Sequence, residues 1–178
     1  MTEVLDFWYT GRMPSYWFSS TPAIDDEIRA SFEPLWERAR AGRLVQWQAS
    51  SEGALALVIV LDQFPLNMFR GHPKSFATEQ QALEVTKLAV QRKLDRALPN
   101  NRLAFLYMPL MHSENLADQD LSVRLFRDAK LDDSIEFALH HREIIRRFGR
   151  FPHRNKILGR ASTAAEISYL LSKNAFKG

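Results

Sequence analysis

A run of eight apolar residues, Ala54–Leu61, constrains this chain more than any other feature of its sequence. A helix made of this run has no polar face, so other elements must surround it. A second run, from Leu103 to Met111, is apolar apart from the Tyr107 hydroxyl and is interrupted only by Pro109. At 178 residues the chain can bury roughly 70% of the surface that it exposes when unfolded. We therefore expect both runs to form central helices.

Helix start and stop signals indicate an all-α fold of about seven helices. Three predicted helices have both ends marked, at about 22–41, 51–64 and 133–148. Three more have only a marked start, at 78, 99 and 163, and a short helix contains residues 121–125. Their ends are marked by Pro22, a Ser51 cap, a capping box of Thr78 with Gln81, Gly149, and a capping box of Thr163 with Glu166. Alternating β-type patterns are missing, and Val58–Val60 is the one strand-like competitor.

Four prolines suggest a weak internal repeat. Pro22, Pro65, Pro109 and Pro152 are separated by 43, 44 and 43 residues. Two-helix repeats recur at about 40 to 47 residues, so this spacing is compatible with helix pairs that stack in chain order. Because the chain has eight prolines, chance alignment remains the alternative.

Composition excludes several classes of protein. The absence of cysteine excludes thiol nucleophiles, thiolate metal sites and disulfides, and it fits a reducing compartment. There is no glycine-rich phosphate loop, dinucleotide fingerprint or nucleophile elbow. No apolar run approaches the roughly 20 residues that cross a bilayer, and Glu3 and Asp6 argue against a secretory signal. We expect a cytoplasmic protein with no membrane span, no cofactor and no resident metal.

The first candidate cluster follows the central apolar run and contains Asp62, Gln63, Asn67 and Arg70. Burying a carboxylate beside a core helix is costly unless the carboxylate is paired. Asp62 is therefore expected to have a partner, and an arginine is the predicted one. Two interpretations stay open, a role in a binding site and the anchoring of a kinked helix to a neighbour.

The second cluster, His112 with Ser113 and Glu114, follows the other apolar run. A histidine beside a carboxylate can serve general acid–base chemistry, because the acidic neighbour moves the imidazole pKa across neutrality. His112 and Glu114 could supply two metal ligands, but two ligands do not make a site. Capping of a helix C-terminus by His112 is the structural alternative.

The third cluster spans residues 140 to 160 and is rich in arginine and histidine. His141 lies on the apolar face of its predicted helix, whereas His140 lies on the exposed face. Neighbouring guanidinium groups repel each other unless carboxylates or a bound anion separate them. The cluster is therefore an anion site, or else Arg150 or Arg154 pairs internally with Asp62 or Glu114; both interpretations stay open.

Several motifs resemble those of the bacterial domain-of-unknown-function family 924. They are LDFWY from Leu5, YWFS from Tyr16, LDQFPLNMFR from Leu61, YMPLMHSE from Tyr107, RFGRFPHRN from Arg147 and LGRAST from Leu158. The resemblance covers nearly the whole chain and implies a tetratricopeptide-like fold, a right-handed stack of antiparallel helix pairs in a single domain, residues 1–178. It implies no activity or cofactor. The family pattern usually has arginine where this chain has Leu66. An anion contact at position 66 is therefore not expected in this chain.

Three functions are predicted, of which the first two require Asp62, His112 and Arg154 to share one crevice. The first is binding of a small anionic ligand or an acidic peptide. The second is hydrolysis, with His112 or His141 as general base and Glu114 or Asp62 orienting it. Nucleic-acid binding comes last, because the rest of the chain is nearly neutral. Oligomeric state is left open. The catalytic candidates are His112, Glu114 and His141, and the predicted ligand-binding residues are Asp62, Gln63, Asn67, Arg70, His112, Glu114, His141, Arg147, Arg150, His153, Arg154, Asn155 and Arg160.

Overall fold

The computed structural model describes residues 1–176, and this part of the chain contains helices and their connections but no strand. The helices are α1 (Thr2–Tyr9), α2 (Pro22–Arg40), α3 (Ser51–Val58), α4 (Phe64–Met68), α5 (Glu79–Gln91), α6 (Asn100–His112), α7 (Leu116–Asp128), α8 (Asp132–Phe148) and α9 (Ala164–Leu170). A π-helical segment, Ile59–Gln63, joins α3 to α4, so residues 51–68 form one continuous helix. The predicted all-α fold is confirmed.

The two apolar runs lie at the centre of the molecule, as predicted. Every residue from Gly53 to Pro65 is buried, and so is every residue of α6 from Phe105 to Met111. Helix α3 packs against α5 and α6, α6 packs against α7, and α7 packs against α8. Val58–Val60, the strand-like segment of the sequence, lies inside this helix. A helix suits a fully buried segment because its backbone groups bond to one another.

Local end signals explain most helix boundaries. The capping box of Thr163 and Glu166 is present at α9, and Gly149 ends α8 in the left-handed region at a φ of 70°. Two predicted caps are wrong. Ser50 caps α3 instead of Ser51, and the Thr78 hydroxyl makes no capping bond at α5 because it bonds elsewhere.

The sequence did not predict helix α1. No side-chain cap marks the start of this helix, so it has no local start signal. Val4 and Trp8 bury one side of it in the core, so tertiary packing stabilises a helix that carries no local start signal. None of the helices in the described part of the chain combines the length and the apolar character needed to span a membrane.

The four evenly spaced prolines occupy two kinds of position. Pro22 and Pro152 stand at the start of helical segments. Pro109 lies inside α6, and Pro65 lies inside the continuous helix of residues 51–68. The spacing therefore does not define four equivalent positions. Two of the prolines, Pro65 and Pro109, do lie in similar places, near the C-terminal ends of the two central helices. The first two candidate clusters lie at these same two ends.

Candidate functional site

The π-helical segment places Asp62 at the edge of the core. The Phe64 N–H donates to the Ile59 carbonyl five residues earlier, which widens the helix locally. The Leu61 carbonyl accepts a hydrogen bond of 2.5 Å from the Thr78 hydroxyl. Thr78 in turn accepts a bond of 3.0 Å from Nε1 of Trp36. Short π-helical segments inside α-helices frequently occur at functional sites.

Four side chains from four different segments meet at this point. Nδ1 of His112 lies 3.0 Å from Oδ1 of Asp62, and Nη1 of Arg154 donates to Oε2 of Glu79 over 2.9 Å. One donor atom each of Asp62, Glu79 and His112 lies within 4.8 Å of the other two. We call Asp62, Glu79, His112 and Arg154 the central cluster. The structure thus brings together the three residues that the sequence placed in one crevice.

The central cluster is largely shielded from solvent. The Asp62 side chain is 0% exposed, that of Arg154 is 7% exposed, and those of His112 and Glu79 are 18% and 21% exposed. The Arg154 guanidinium lies 4.7 Å from the ring centroids of both Phe76 and Phe151. These aromatic faces hold the guanidinium in place and favour its charge through cation–π attraction.

Burial and charge act in opposite directions on two members of the cluster. Burial raises the pKa of the Glu79 carboxyl to about 7, although the Arg154 charge lowers it. Burial is the largest single influence on the pKa of His112 and would lower it, but the charge and hydrogen bond of Asp62 together with the charge of Glu79 raise it above its ordinary value.

Two polar atoms of the central cluster have no hydrogen-bond partner. Oε1 of Glu79 and Nε of Arg154 are both buried and unpaired within the described residues. The Asp62 carboxylate is better satisfied, because its Oδ2 accepts from the Gln63 amide over 2.6 Å. Buried groups of this kind normally find a protein partner, a water molecule or a ligand.

A second group of charged side chains, Arg150 and Arg160 with the carboxylates Glu114 and Glu166, is instead a closed set of ion pairs, which we call the arginine-rich turn. Arg160 donates to both oxygens of Glu114 over 2.7 and 2.9 Å, and the Phe151 N–H donates to the same carboxylate over 2.7 Å. Arg150 donates to both oxygens of Glu166 over 2.7 and 2.9 Å. Arginine holds the pKa of both carboxyls below the ordinary range, against the opposing effect of burial, and the pKa of Glu166 falls to about 2.

Two further candidates, Asn67 and Arg70, lie in a separate cluster around Asp25. The Asn67 amide donates to Oδ1 of Asp25 over 2.8 Å, and Nε of Arg70 donates to Oδ2 over 2.7 Å. Asp25 belongs to the first turn of α2, where an acidic residue also complements the helix dipole. These contacts join α2 to α4 and to the residues that follow it, and they do not involve a member of the central cluster.

The remaining candidates lie around a small second core formed by Phe151 and α9. Nδ1 of His141 lies 2.8 Å from the Phe137 carbonyl, and burial lowers its pKa to about 3. Burial also lowers the pKa of His153 to about 4, and its Nδ1 is buried with no hydrogen-bond partner among residues 1–176. Arg147 is exposed and lies over the Phe148 ring, whereas Asn155 is buried and accepts from Nε of Arg160.

The predicted partners of the charged groups need correction. Asp62 has no arginine partner among the described residues; histidine and glutamine satisfy it. Arg154 pairs with Glu79, and Arg150 with Glu166, so neither pairs with Asp62 or Glu114 as proposed. Of the two carboxylates proposed to orient a histidine, Asp62 contacts His112 while Glu114 is held by Arg160.

Sequence reasoning missed Glu79. It directly follows Thr78 at the start of α5, where an acidic residue is ordinary because it complements the helix dipole. Because the helix start already explained an acidic residue at position 79, nothing indicated that Glu79 also binds an arginine. The signal that could have found it was Arg154, which needs a carboxylate partner if it is buried.

The residues that could hold a metal are Asp62, Glu79 and His112, the set within the described residues whose donor atoms converge. The proposed pair of His112 with Glu114 is not available, because Arg160 occupies both oxygens of Glu114. Two surface cavities of about 650 and 490 Å³ lie elsewhere, and none of the predicted site residues lines either one. Neither cavity therefore belongs to the central cluster.

Comparison with known proteins gives a family but no activity. A family model described as bacterial protein of unknown function (DUF924) matches residues 4–174. The chain belongs to this family. It is also similar to a solved structure of the protein of unknown function ATU0120 from Agrobacterium tumefaciens. The two share 34% sequence identity and a TM-score of 0.89, over 96% of each chain.

No curated protein matches the chain significantly. Membership of the DUF924 family therefore supports the helical fold and leaves the function to the geometry of the side chains. That geometry separates a satisfied network, the arginine-rich turn, from an incompletely satisfied one, the central cluster.

Proposed function

We propose that this protein binds a small polar ligand at the central cluster and that the arginine-rich turn is structural. The observation that carries the proposal is the pair of unpartnered buried atoms, Oε1 of Glu79 and Nε of Arg154. A buried polar atom without a partner is costly, so a site that retains two of them is suited to a ligand that satisfies them. In the arginine-rich turn, Glu114 and Glu166 already accept two bonds each from arginine.

The arrangement favours a small ligand over an acidic peptide. Arg154 and His112 could attract an anion, but the carboxylates of Asp62 and Glu79 lie beside them and oppose it. Arg150 and Arg160, which the sequence also assigned to anion binding, are held by Glu166 and Glu114. A peptide rich in aspartate or glutamate therefore finds few guanidinium groups that are not already paired.

A thermal-shift screen tests this proposal with wild type, Glu79→Gln and the control Glu143→Gln. Glu143 also pairs with an arginine, but on an exposed helix face. The ligands are phosphate, acetate, citrate, an acidic peptide and divalent cations. A ligand at a hundredfold excess over its Kd stabilises the fold by about 2.7 kcal/mol. We expect stabilisation of wild type and of Glu143→Gln that is lost in Glu79→Gln; equal responses in all three would place the site elsewhere.

A second function, hydrolysis, is favoured by the contact between Asp62 and His112. A buried carboxylate that accepts from Nδ1–H fixes the tautomer and orientation of the ring, which leaves Nε2 to accept a proton from water or from a substrate. The 3.0 Å distance between Oδ1 and Nδ1 has this geometry. The other proposed base, His141, has its Nδ1 directed to the Phe137 carbonyl and lacks an orienting carboxylate.

An esterase and phosphatase screen of wild type, His112→Gln, Asp62→Asn and His140→Gln tests the second function. General acid–base catalysis contributes about 10²- to 10⁴-fold, so we expect a loss of that size in the first two variants. His140→Gln is the control, because it removes the imidazole next to His141 on α8 and leaves the central cluster unchanged. This variant is expected to keep full activity. Activity that survives in His112→Gln would exclude hydrolysis at this site.

A further inference from the structure

The central cluster contains one more carboxylate than guanidinium groups. Arg154 compensates Glu79 through their 2.9 Å contact, whereas Asp62 is bonded to the His112 ring and to the uncharged Gln63 amide. A histidine that binds a metal is uncharged, so with His112 as a ligand the formal charges of Asp62, Glu79 and Arg154 leave one negative charge in a shielded place. Buried charges that lack a counter-charge are expensive and are often found to bind a cation.

The three side chains that face one another form a mixed donor set. Each of Asp62, Glu79 and His112 offers one donor atom within 4.8 Å of the others. Bonds from zinc to nitrogen and oxygen are about 2.0–2.2 Å, so two donors on one ion lie up to about 4.4 Å apart. Small side-chain rotations would therefore bring all three donors onto one ion.

An independent observation concerns the free oxygen of Glu79. Arg154 holds Oε2, while Oε1 is buried with no partner. The guanidinium thus fixes the carboxylate and leaves one oxygen available to a ligand. Nδ1 of His112 and Oδ1 of Asp62 lie 3.0 Å apart, which is near enough for both atoms to coordinate one ion in place of the hydrogen bond between them.

We infer that Asp62, Glu79 and His112 form a binding site for a single divalent transition-metal cation, with zinc as the best match. One imidazole nitrogen and two carboxylate oxygens suit zinc better than magnesium or calcium, which prefer oxygen ligands alone. Arg154 is not a ligand; it holds Glu79 and stands beside the cation. This inference rests on the proposed function, since it names the ligand class of the same site.

Isothermal titration calorimetry with zinc chloride tests the inference on full-length protein that has first been stripped with a chelator. We expect one zinc per chain in wild type. Glu79→Gln and Asp62→Asn keep the side-chain shapes and remove a ligand charge, so we expect at least a tenfold weaker affinity in each. Glu143→Gln and His140→Gln, which alter an exposed and a half-buried group outside the cluster, are expected to bind as wild type does. Circular dichroism of each variant shows that it is folded.

A second measurement makes the result independent of heat signals. Cobalt(II) bound by a histidine and carboxylates absorbs visible light, and we expect the absorption of the cobalt-loaded protein to be lost in His112→Gln. No zinc binding to wild type, or equal binding by all variants, would overturn the inference. If zinc fails while phosphate or citrate still stabilises wild type and not Glu79→Gln, the inference falls and the proposed function stands; if nothing depends on Glu79, both fall.

Discussion

The arginine-rich turn and the central cluster use the same types of side chain to opposite effect. In the arginine-rich turn, Glu114 accepts from two guanidinium nitrogens and one backbone N–H. In the central cluster, Glu79 accepts from one guanidinium nitrogen and keeps its second oxygen unpaired. The first arrangement connects the segment between α6 and α7 to the loop that follows α8. The two regions thus differ in how completely their polar groups are hydrogen-bonded, and this difference is the basis on which we propose a structural role for one and a binding role for the other.

The largest expected effect on stability comes from the Thr78 hydroxyl, which bonds to the carbonyl of Leu61, the residue before Asp62. Thr78→Val keeps the side-chain volume but leaves the Leu61 carbonyl and the Trp36 Nε1 without their shared partner. Each buried unpaired group costs about 1–3 kcal/mol, so we expect the free energy of unfolding to fall by about 2–4 kcal/mol. Urea denaturation measures this change. Thr78→Ser retains the hydroxyl and is expected to keep most of the stability; a Thr78→Val protein as stable as wild type would contradict the assigned network.

The two carboxylates compared above give the next effect. Glu114→Gln leaves Arg160 without a counter-charge and offers one acceptor to three donors, so we expect a loss of about 2 kcal/mol. Glu79→Gln keeps one acceptor for Arg154, and the Asp62 carboxylate remains in the same cluster to balance the guanidinium charge, so we expect a change of less than about 1 kcal/mol. Urea denaturation of both variants in the presence of a chelator measures the difference. Equal losses would remove the distinction between the two regions.

The smallest expected effect concerns the neutral histidines beside the arginine-rich turn. Burial lowers the pKa of His141 to about 3, below its ordinary value of 6.5. Below pH 6.5 the unfolded chain therefore binds a proton that the folded chain does not, and stability falls as the pH falls towards 3. The slope is at most about 1.4 kcal/mol per pH unit for one histidine.

His141→Asn tests this dependence because it retains an N–H donor for the Phe137 carbonyl but does not titrate. Between pH 7 and pH 5.5 we expect the variant to lose about 1 kcal/mol less stability than wild type, as measured by urea denaturation at each pH. Identical pH profiles would show that His141 is not held neutral in the folded protein. His140→Asn, on the neighbouring position, serves as the control and is expected to follow wild type.

The sequence predicted those parts of the fold that depend on local signals. Gly149 and the Thr163 with Glu166 box were recognisable because each acts within one helical turn. Helix α1 was missed because burial of Trp8, and not a cap, stabilises it. The Thr78 hydroxyl was assigned to the wrong partner because a carbonyl 17 residues away competes with its own helix end.

The candidate site was predictable in its main residues but not in their pairing. Asp62, His112 and Arg154 each follow a buried or helical segment, which made them visible as polar groups near the core. The partner of Arg154 lies 75 residues away, and the chain has 21 acidic residues from which to choose. Charge alone does not select among them, because the choice depends on how the helices pack.

The π-helical segment also has a consequence for how members of the family are compared. Each residue turns an α-helix by about 100°, so losing one residue between Ile59 and Gln63 would let residues 51–68 wind as a regular α-helix. Asp62 would then swing away from His112, while the apolar run could still fill the centre. A one-residue gap at this place in an alignment is therefore a simple diagnostic for relatives that share the architecture without its chemistry.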